Sequence, residues 1–383
     1  MTKALAIYGA TGSIGSSTLD LVRRQPEAYR VAILTAHSAV ETMAALGREF
    51  APDLMVMADP AAAKALQAEV PHIPVLAGPQ GLIEAAGEQP YDLMVAALVG
   101  FAGLAPTLAA LAAGRDVALA NKEALVCAGQ LVMATAAKSG ARILPVDSEH
   151  NAIFQCWEGA QRAQICSVQL TASGGPFRGW SAADIAQASL DQALQHPNWS
   201  MGPKVTLDSA TLVNKALEMI EARWLFDLSP DQLEVVVHPQ SIVHSCVTYN
   251  DGSTLAQLGQ PDMRTPFAYC LAYPDRAPLG GARLCLTDLS ALTFEAPDEA
   301  AFPTLSLARM AMAAQGPATS VALNAANEVL NALVRRGALP FGALMPQLVA
   351  LMDRFDRPKI DTLEDIVDWD QQVRAYTAAS VSV

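Results

Sequence analysis

Three acidic side chains could carry chemistry. Asp147 and Glu149 flank Ser148 in "RILPVDSEHNAIFQ" (142–155), and Glu218 lies within "DSATLVNKALEMIEARWLF" (208–226). On an extended chain, residues two apart point to one side. Asp147 and Glu149 would then offer two hard oxygen ligands suited to Mg2+ or Mn2+. The same pair also reads as a helix start, with Asp147 as cap and Glu149 favouring the dipole. Asn214 and Lys215 precede Glu218 by four and three residues, which puts all three on one helical face. A Lys–Glu pair at this spacing is ordinarily a solvated pair. With Ser209 and Thr211 just upstream, the face can instead hold a phosphate, Lys215 as a point charge and Asn214 and Ser209 as donors.

Other short stretches suit anions. "AIYGATGSIGSSTLDLV" places Gly9, Gly12 and Gly15 between a strand and a helix, where glycines admit a pyrophosphate to the helix N-terminus. NAD binders carry an acid about twenty residues further on. Thr35 stands there instead, so nothing repels the extra phosphate of NADP. His37 and Ser38 read as donors to it or as plain loop. "ALANKEAL" (118–125) puts Asn121, Lys122 and Glu123 just past a strand end, where open α/β sheets bind ligands. Ser173, Gly174 and Gly175 form another small-residue loop in "TASGGPFRGW" (171–180). "HPNWSMG" (196–202) sets His196, Trp199 and Met201 between Pro197 and Gly202. It reads as a lid over a ligand or as a loop packed on its own domain.

The elements that must position these residues follow from hydrophobic patterning. Apolar runs at 4–9, 30–36, 54–58, 74–78, 93–99, 116–120 and 142–146 predict strands, and segments 13–24, 40–49, 60–69 and 124–139 predict helices between them. Such alternation predicts a Rossmann-like parallel sheet wrapped by helices over 1–150. Further strands at 167–173, 233–239, 241–249 and 254–259 lie among helices and long loops. They predict a catalytic α+β domain over 151–273, with its lid near 196–202. A Pro-rich linker (274–303) and a C-terminal helical bundle (304–383) complete an α/β chain. The bundle's helices are expected at 304–315, 318–336, 341–354 and 362–379.

A length of 383 residues fits two or three domains, and a hydrophobic share of 52% excludes a disordered chain. The net charge of −13 argues against nucleic acid or an anionic membrane as partner, though not against an anionic substrate. Six scattered cysteines without a C-x-x-C pair point to reduced thiols in a cytoplasmic protein. The start of the chain does not read as a signal peptide. The uncharged stretch 93–114 is long enough to span a membrane, but Gly100, Gly103 and Pro106 divide it into strand, loop and helix.

Together, "GATGSIGSSTLD", "LANKE", "LPVDSEHNAIFQ", "ASGGPF", "HPNWSMG", "DSATLVNKALEMIEARWLF", "HPQSIVHS", "LAQLGQPDMRTP" and "ALNAANE" resemble the 1-deoxy-D-xylulose 5-phosphate reductoisomerase family over essentially the whole chain. The resemblance implies a metal-dependent rearrangement of 1-deoxy-D-xylulose 5-phosphate, then NADPH reduction to 2-C-methyl-D-erythritol 4-phosphate in non-mevalonate isoprenoid synthesis. It implies a divalent cation (Mn2+, Mg2+ or Co2+) on Asp147, Glu149 and Glu218. Substrate would meet Lys122, Ser148, Glu149 and Glu218, its phosphate held by Ser173, Ser209, Asn214 and Lys215, and His196 would close over it. NADPH would touch Thr11, Gly12, Ser13, Ile14, Asn121, Glu123 and Gly202. Lys122, Asp147, Glu149, Glu218 and His196 would be the catalytic set, in a homodimer. Ala172 and Ala216 stand where the family commonly has glycine, and His37-Ser38-Ala39 departs from its usual small, basic and Asn residues. The competing reading is an NADP-dependent dehydrogenase without isomerisation. A non-catalytic NADP-sensing regulator is a third.

Overall fold

The structure, a computed structural model, describes residues 2–199, 201–278 and 283–381. Ser200 of the expected lid, residues 279–282 of the expected linker, and residues 1 and 382–383 lie outside that description. The chain divides into two compact units, the first comprising Met1–Ala124, Gln130–Asn151 and Asp262–Gly281, the second Leu125–Gly129, Ala152–Pro261 and Ala282–Val383.

In the first unit each apolar run becomes a strand: β1 (Lys3–Tyr8), β2 (Tyr29–Ala36), β3 (Leu54–Met57), β4 (Val75–Ala77), β5 (Leu93–Ala96), β6 (Asp116–Leu119) and β7 (Ile143–Pro145). They pair in the order β4-β3-β2-β1-β5-β6-β7, all parallel. Every residue of β3 and β5 is buried, as a sheet covered on both faces requires. Strand order reverses at β1, so the crevice beyond the carboxyl ends of β1 and β5 is the topological switch point where such sheets take ligands. Helices Ser13–Arg24, Val40–Phe50 and Pro60–Glu69 fall where the periodicity predicts them. The 93–114 stretch resolves into β5, a 3-10 turn and helix Leu104–Ala112. Among the described residues no helix is long and apolar enough to cross a membrane.

Two local features differ from the sequence reading. Helix Gly78–Glu88 was not anticipated, because its three glycines and its proline read as turn signals. Helix Ser148–Trp157 begins directly after Asp147, whose carbonyl accepts the Asn151 amide at 2.8 Å. The chain is therefore not extended across Asp147–Glu149. Both carboxylates sit at a helix N-terminus instead of on one side of an extended chain.

The second unit holds a mixed sheet of β8 (Ile165–Ala172), β9 (Leu233–Val237), β10 (Val243–Tyr249) and β11 (Thr254–Leu258), ordered β11-β10-β8-β9. The β8–β9 pair is parallel and the other two are antiparallel. Helices Pro203–Ala210 and Val213–Phe226 fill the long connection between β8 and β9. Helices Thr304–Ala313, Ala318–Arg335, Leu344–Met352 and Leu363–Ser380 form the expected C-terminal set. Helix Arg264–Ala272 belongs to the first unit, where the Cys270 thiol donates to Pro145 O at 3.2 Å. Part of the expected linker is ordered against β9: Glu295 bridges Val237 and its side chain pairs with Arg178 at 2.7 Å.

The glycine turn after β1 leaves no room for side chains. A Cβ on Gly15 would lie 2.4 Å from Gly9 O and 2.6 Å from Ala10 Cα, both backbone atoms. Gly15→Ala is therefore expected to lower unfolding free energy by about 1–3 kcal/mol, the usual cost of overpacking. Urea denaturation with an unchanged midpoint would remove this close approach from the argument.

Candidate active site

The candidate residues fall in both units, and each unit organises its own set. In the first, Gly9 takes φ +92°, and the Gly9 and Ala10 amides donate to Thr35 O at 3.2 and 2.8 Å. The Thr35 hydroxyl accepts from the Gly9 amide at 3.1 Å. The position that carries an acid in NAD binders thus anchors the glycine turn. Gly12 caps helix Ser13–Arg24, so no side-chain hydrogen bond closes its first turn. Thr11 and Ile14 are half-buried, Gly12 and Ser13 exposed. His37 and Ser38 are exposed just past β2.

Asn121 caps helix Lys122–Ser139, accepting from the Ala124 amide at 3.2 Å. Its own amide donates to Leu98 O, Gly100 O and the Glu123 carboxylate, at 2.7, 2.9 and 2.9 Å. Asn121 therefore ties the loop after β5 to the loop after β6, and both it and Glu123 are buried. Lys122 projects to Asp147, with Nζ 2.6 Å from Oδ2. Ser148 donates to Glu149. Behind them His150 is fully buried, and Asn151 donates to Pro145 O at 2.8 Å.

The second unit builds a pocket from four segments. Ser173, Gly174, His196, Trp199, Met201, Ser209, Leu212, Asn214 and Lys215 line one cavity of about 40 Å³, with Ala172 at its edge. Lys215 and Asn214 both donate to the Glu218 carboxylate, one to each oxygen. Lys215 is 4% exposed and Glu218 1%, so this is no solvated helix pair. Surface pairs contribute at most about 1 kcal/mol, whereas removing one member of a buried pair costs about 3–5 kcal/mol. Gly175 at φ +68° brings the loop against the Pro203–Ala210 helix; a Cβ there would meet Ser209 O at 2.8 Å. Leu212 at φ +55° makes the turn that lets Ser209 and Asn214 line the same cavity. That left-handed backbone costs a β-carbon residue about 1–2 kcal/mol.

His196 is oriented by its own loop. Its Nδ1 accepts from the amides of Asn198 and Trp199 at 3.2 and 3.0 Å, so the ring proton sits on Nε2, which meets Ser173 Oγ at 3.0 Å. Asn198 ties the loop to Pro239 O and Ser241 Oγ, at 2.6 and 2.8 Å. Gly202 caps the helix that follows. Sequence reasoning passed over His244, which lies under Trp199 with ring centroids 6.2 Å apart. Its only sequence signal is the second histidine of "HPQSIVHS".

Family comparison agrees along the chain. Residues 5–129 match the model of 1-deoxy-D-xylulose 5-phosphate reductoisomerase, residues 143–226 that of its C-terminal domain, and residues 258–376 a further C-terminal domain of DXP reductoisomerase. The chain belongs to the 1-deoxy-D-xylulose 5-phosphate reductoisomerase family. It is 50% identical to the reductoisomerase of Rhodopseudomonas palustris (strain BisB18), over 98% of this chain and 94% of that one. A solved DOX-P reductoisomerase in complex with NADPH, fosmidomycin and magnesium superposes with a TM-score of 0.94 at 44% identity, covering 99% of this chain and 98% of that one. The Zymomonas mobilis reductoisomerase in complex with NADPH gives 0.93 at 40% identity, over the full length of both.

Burial pushes His196 from 6.5 down to about 4. Burial also lowers His244 to about 4, opposed by hydrogen bonds to the backbone at Gly259 and Gln260 and aided by His238 and the charge of Lys215. Unfolded, both rings protonate near their ordinary value of 6.5. Between that value and about 4 the unfolded chain binds more protons, so stability falls as pH drops through this window. The thermal midpoint of this family member should decline accordingly. A His196→Gln/His244→Gln variant should show a flatter decline, and an identical slope would sink the assignment.

Proposed function

We propose that this chain isomerises 1-deoxy-D-xylulose 5-phosphate and reduces the product with NADPH to 2-C-methyl-D-erythritol 4-phosphate. The observation that carries the reading is the small pocket in which Ser173, Ser209, Asn214, Lys215 and His196 converge. Three hydroxyl or amide donors, a lysine and a neutral imidazole N–H suit a phosphate monoester. At about 40 Å³ the cavity is smaller than a sugar phosphate, so binding one would require the segment that carries His196, Trp199 and Met201 to move aside.

NADPH fits the first unit. The crowded Gly9–Gly15 turn and the uncapped helix after it suit a pyrophosphate against Thr11, Gly12, Ser13 and Ile14. Asn121 and Glu123 would hold the nicotinamide half, and Gly202 is a further expected cofactor contact. Asp147, Glu149 and Glu218 would hold Mg2+, Mn2+ or Co2+, a set of hard carboxylate oxygens suited to such ions. When bound, the cation supplies Lewis-acid polarisation of the substrate's carbonyl and hydroxyl oxygens, and NADPH supplies hydride.

The chain's own groups do the rest. Lys122 and Lys215 are here the counter-ions of Asp147 and Glu218. Both lysines are available to substrate oxygens once those carboxylates have another cation. Lys215 would turn to the phosphate, and Lys122, with Ser148, to the oxygens of the reacting carbons. His196, neutral and protonated on Nε2, donates to substrate and excludes water together with Trp199 and Met201.

On this reading residues 1–150 are the NADPH-binding domain, 151–273 the catalytic domain and 304–383 a supporting bundle, joined by 274–303. The protein acts in the cytoplasm, which suits its six free cysteines, and as a homodimer. The exposed edge strand β11, with Leu255 half-exposed, offers a surface for pairing.

The test is to incubate the pentulose phosphate, NADPH and Mg2+ or Mn2+ with the protein and follow cofactor oxidation. Chelation should stop it; oxidation persisting without metal would favour the plain dehydrogenase. Glu218→Gln should abolish turnover while leaving NADPH binding nearly intact, because the lesion lies among the metal ligands. Near-normal turnover would take Glu218 out of that set.

A further inference from the structure

The "ALNAANE" segment lies on the Ala318–Arg335 helix, far in sequence from the pocket. Asn324, Asn327 and Asn331 share one face of that helix, and all three are completely buried. Asparagine is a poor helix former and costly to bury without partners, so three on one buried face need a reason. The partner of two of them is Asp208. Asn327 Nδ2 and Asn331 Nδ2 both donate to its Oδ1, at 2.9 and 2.8 Å. Lys204 Nζ lies 3.0 Å from its Oδ2. Asn331 also donates to Lys204 O at 3.0 Å and is itself oriented by Arg335 Nε at 2.7 Å. Asp208 is 2% exposed, so a carboxylate removed from water is clamped on both oxygens.

The clamp sits where it can control the pocket. Asp208 precedes Ser209, and both ride on the Pro203–Ala210 helix, which starts directly after the 196–202 loop. The far end of that helix is pinned by Thr304, whose hydroxyl donates to Thr211 O at 2.8 Å. Leu212 then turns the chain into Asn214 and Lys215. Apolar packing would hold this helix in place but tolerates rotation about its axis. Two directed amide donors on one carboxylate oxygen do not. Asp208 also keeps the Lys204 charge engaged within the helix.

We infer that Asn327 and Asn331, acting through Asp208, are positioning residues that fix the rotation of the Pro203–Ala210 helix and so aim Ser209 at the substrate phosphate. The inference rests on the phosphate reading of the pocket. It assigns the C-terminal helices a part in substrate affinity, exerted through Asp208 and without contact with the reacting atoms.

The test measures kcat and the KM values for sugar phosphate and NADPH in Asn331→Ala and Asn327→Ser, with Lys215→Ala as control. Asn331→Ala should raise the sugar-phosphate KM roughly tenfold through misplacement of Ser209, while the NADPH KM stays within about twofold. Asn327→Ser leaves the Asn331 bonds in place and should shift the sugar-phosphate KM in the same direction by less. It carries the test alone if Asn331→Ala does not fold. Lys215→Ala should raise the sugar-phosphate KM as well. If it does, and the asparagine variants leave that KM unchanged or raise both KM values equally, the positioning role is overturned by itself. If Lys215→Ala has no effect on that KM, the phosphate reading falls and the positioning role with it.

Discussion

A carboxylate withdrawn from water must be matched by a cation and by hydrogen bonds, and this constraint organises the functional parts of both units. Taking an ion out of water costs several kcal/mol even after relaxation, so an unmatched buried acid would be protonated or exposed. Here Asp147 is matched by Lys122, Asp208 by Lys204 and Glu218 by Lys215. Each lysine lies at a helix start or within four residues of its partner. The matching is therefore local in two of the three cases, whereas Lys122 and Asp147 meet because β6 pairs with β7. Asparagines complete two of these carboxylates, Asn327 and Asn331 at Asp208 and Asn214 at Glu218.

The pocket of the second unit adds a second constraint, neutrality of the imidazoles in and beneath it. His196 and His244 are both kept uncharged by burial, and Lys215 would repel a charged ring in its neighbourhood. Two backbone amides on Nδ1 fix His196 in one tautomer, so its orientation comes from the loop and not from an acid partner. A donor that is neutral, oriented and backed by Trp199 can serve a phosphate or hydroxyl without adding charge to a cavity that already contains an ammonium group.

Much of the architecture was legible because each apolar run of the first 150 residues is bounded by turn residues and separated by helical periodicity. Helix Gly78–Glu88 escaped because glycine and proline dominate its first turn. The residue types of the site were legible too, but their environment was not. An i,i+3 Lys–Glu pair looks the same in solvent and in a core, and only the tertiary structure buries Lys215 and Glu218. The Asp208 clamp joins residues 119 and 123 positions apart, a distance at which no local pattern survives. Leu212 gave no sign of its left-handed turn, since glycine is the usual marker and is absent. The extended reading of Asp147 and Glu149 failed because the helix already starts at Ser148, and the helix start that the same residues also suggested is what the structure has.

The two alanines that stand where the family commonly has glycine follow from the same structure. Ala216 is fully buried near the start of the Val213–Phe226 helix, its amide donating to Leu212 O at 3.0 Å. Alanine there favours the helix over glycine by about 1 kcal/mol. That offsets much of the cost of the left-handed residue immediately before the helix, and it stiffens the turn that carries Asn214, Lys215 and Glu218. Ala172 ends β8 with ordinary strand backbone, and its carbonyl accepts the His238 amide at 2.7 Å. Positive φ begins only two residues later, at Gly174 and Gly175. The backbone freedom that the loop needs thus lies after Ser173, and a methyl group before it leaves the loop's geometry intact.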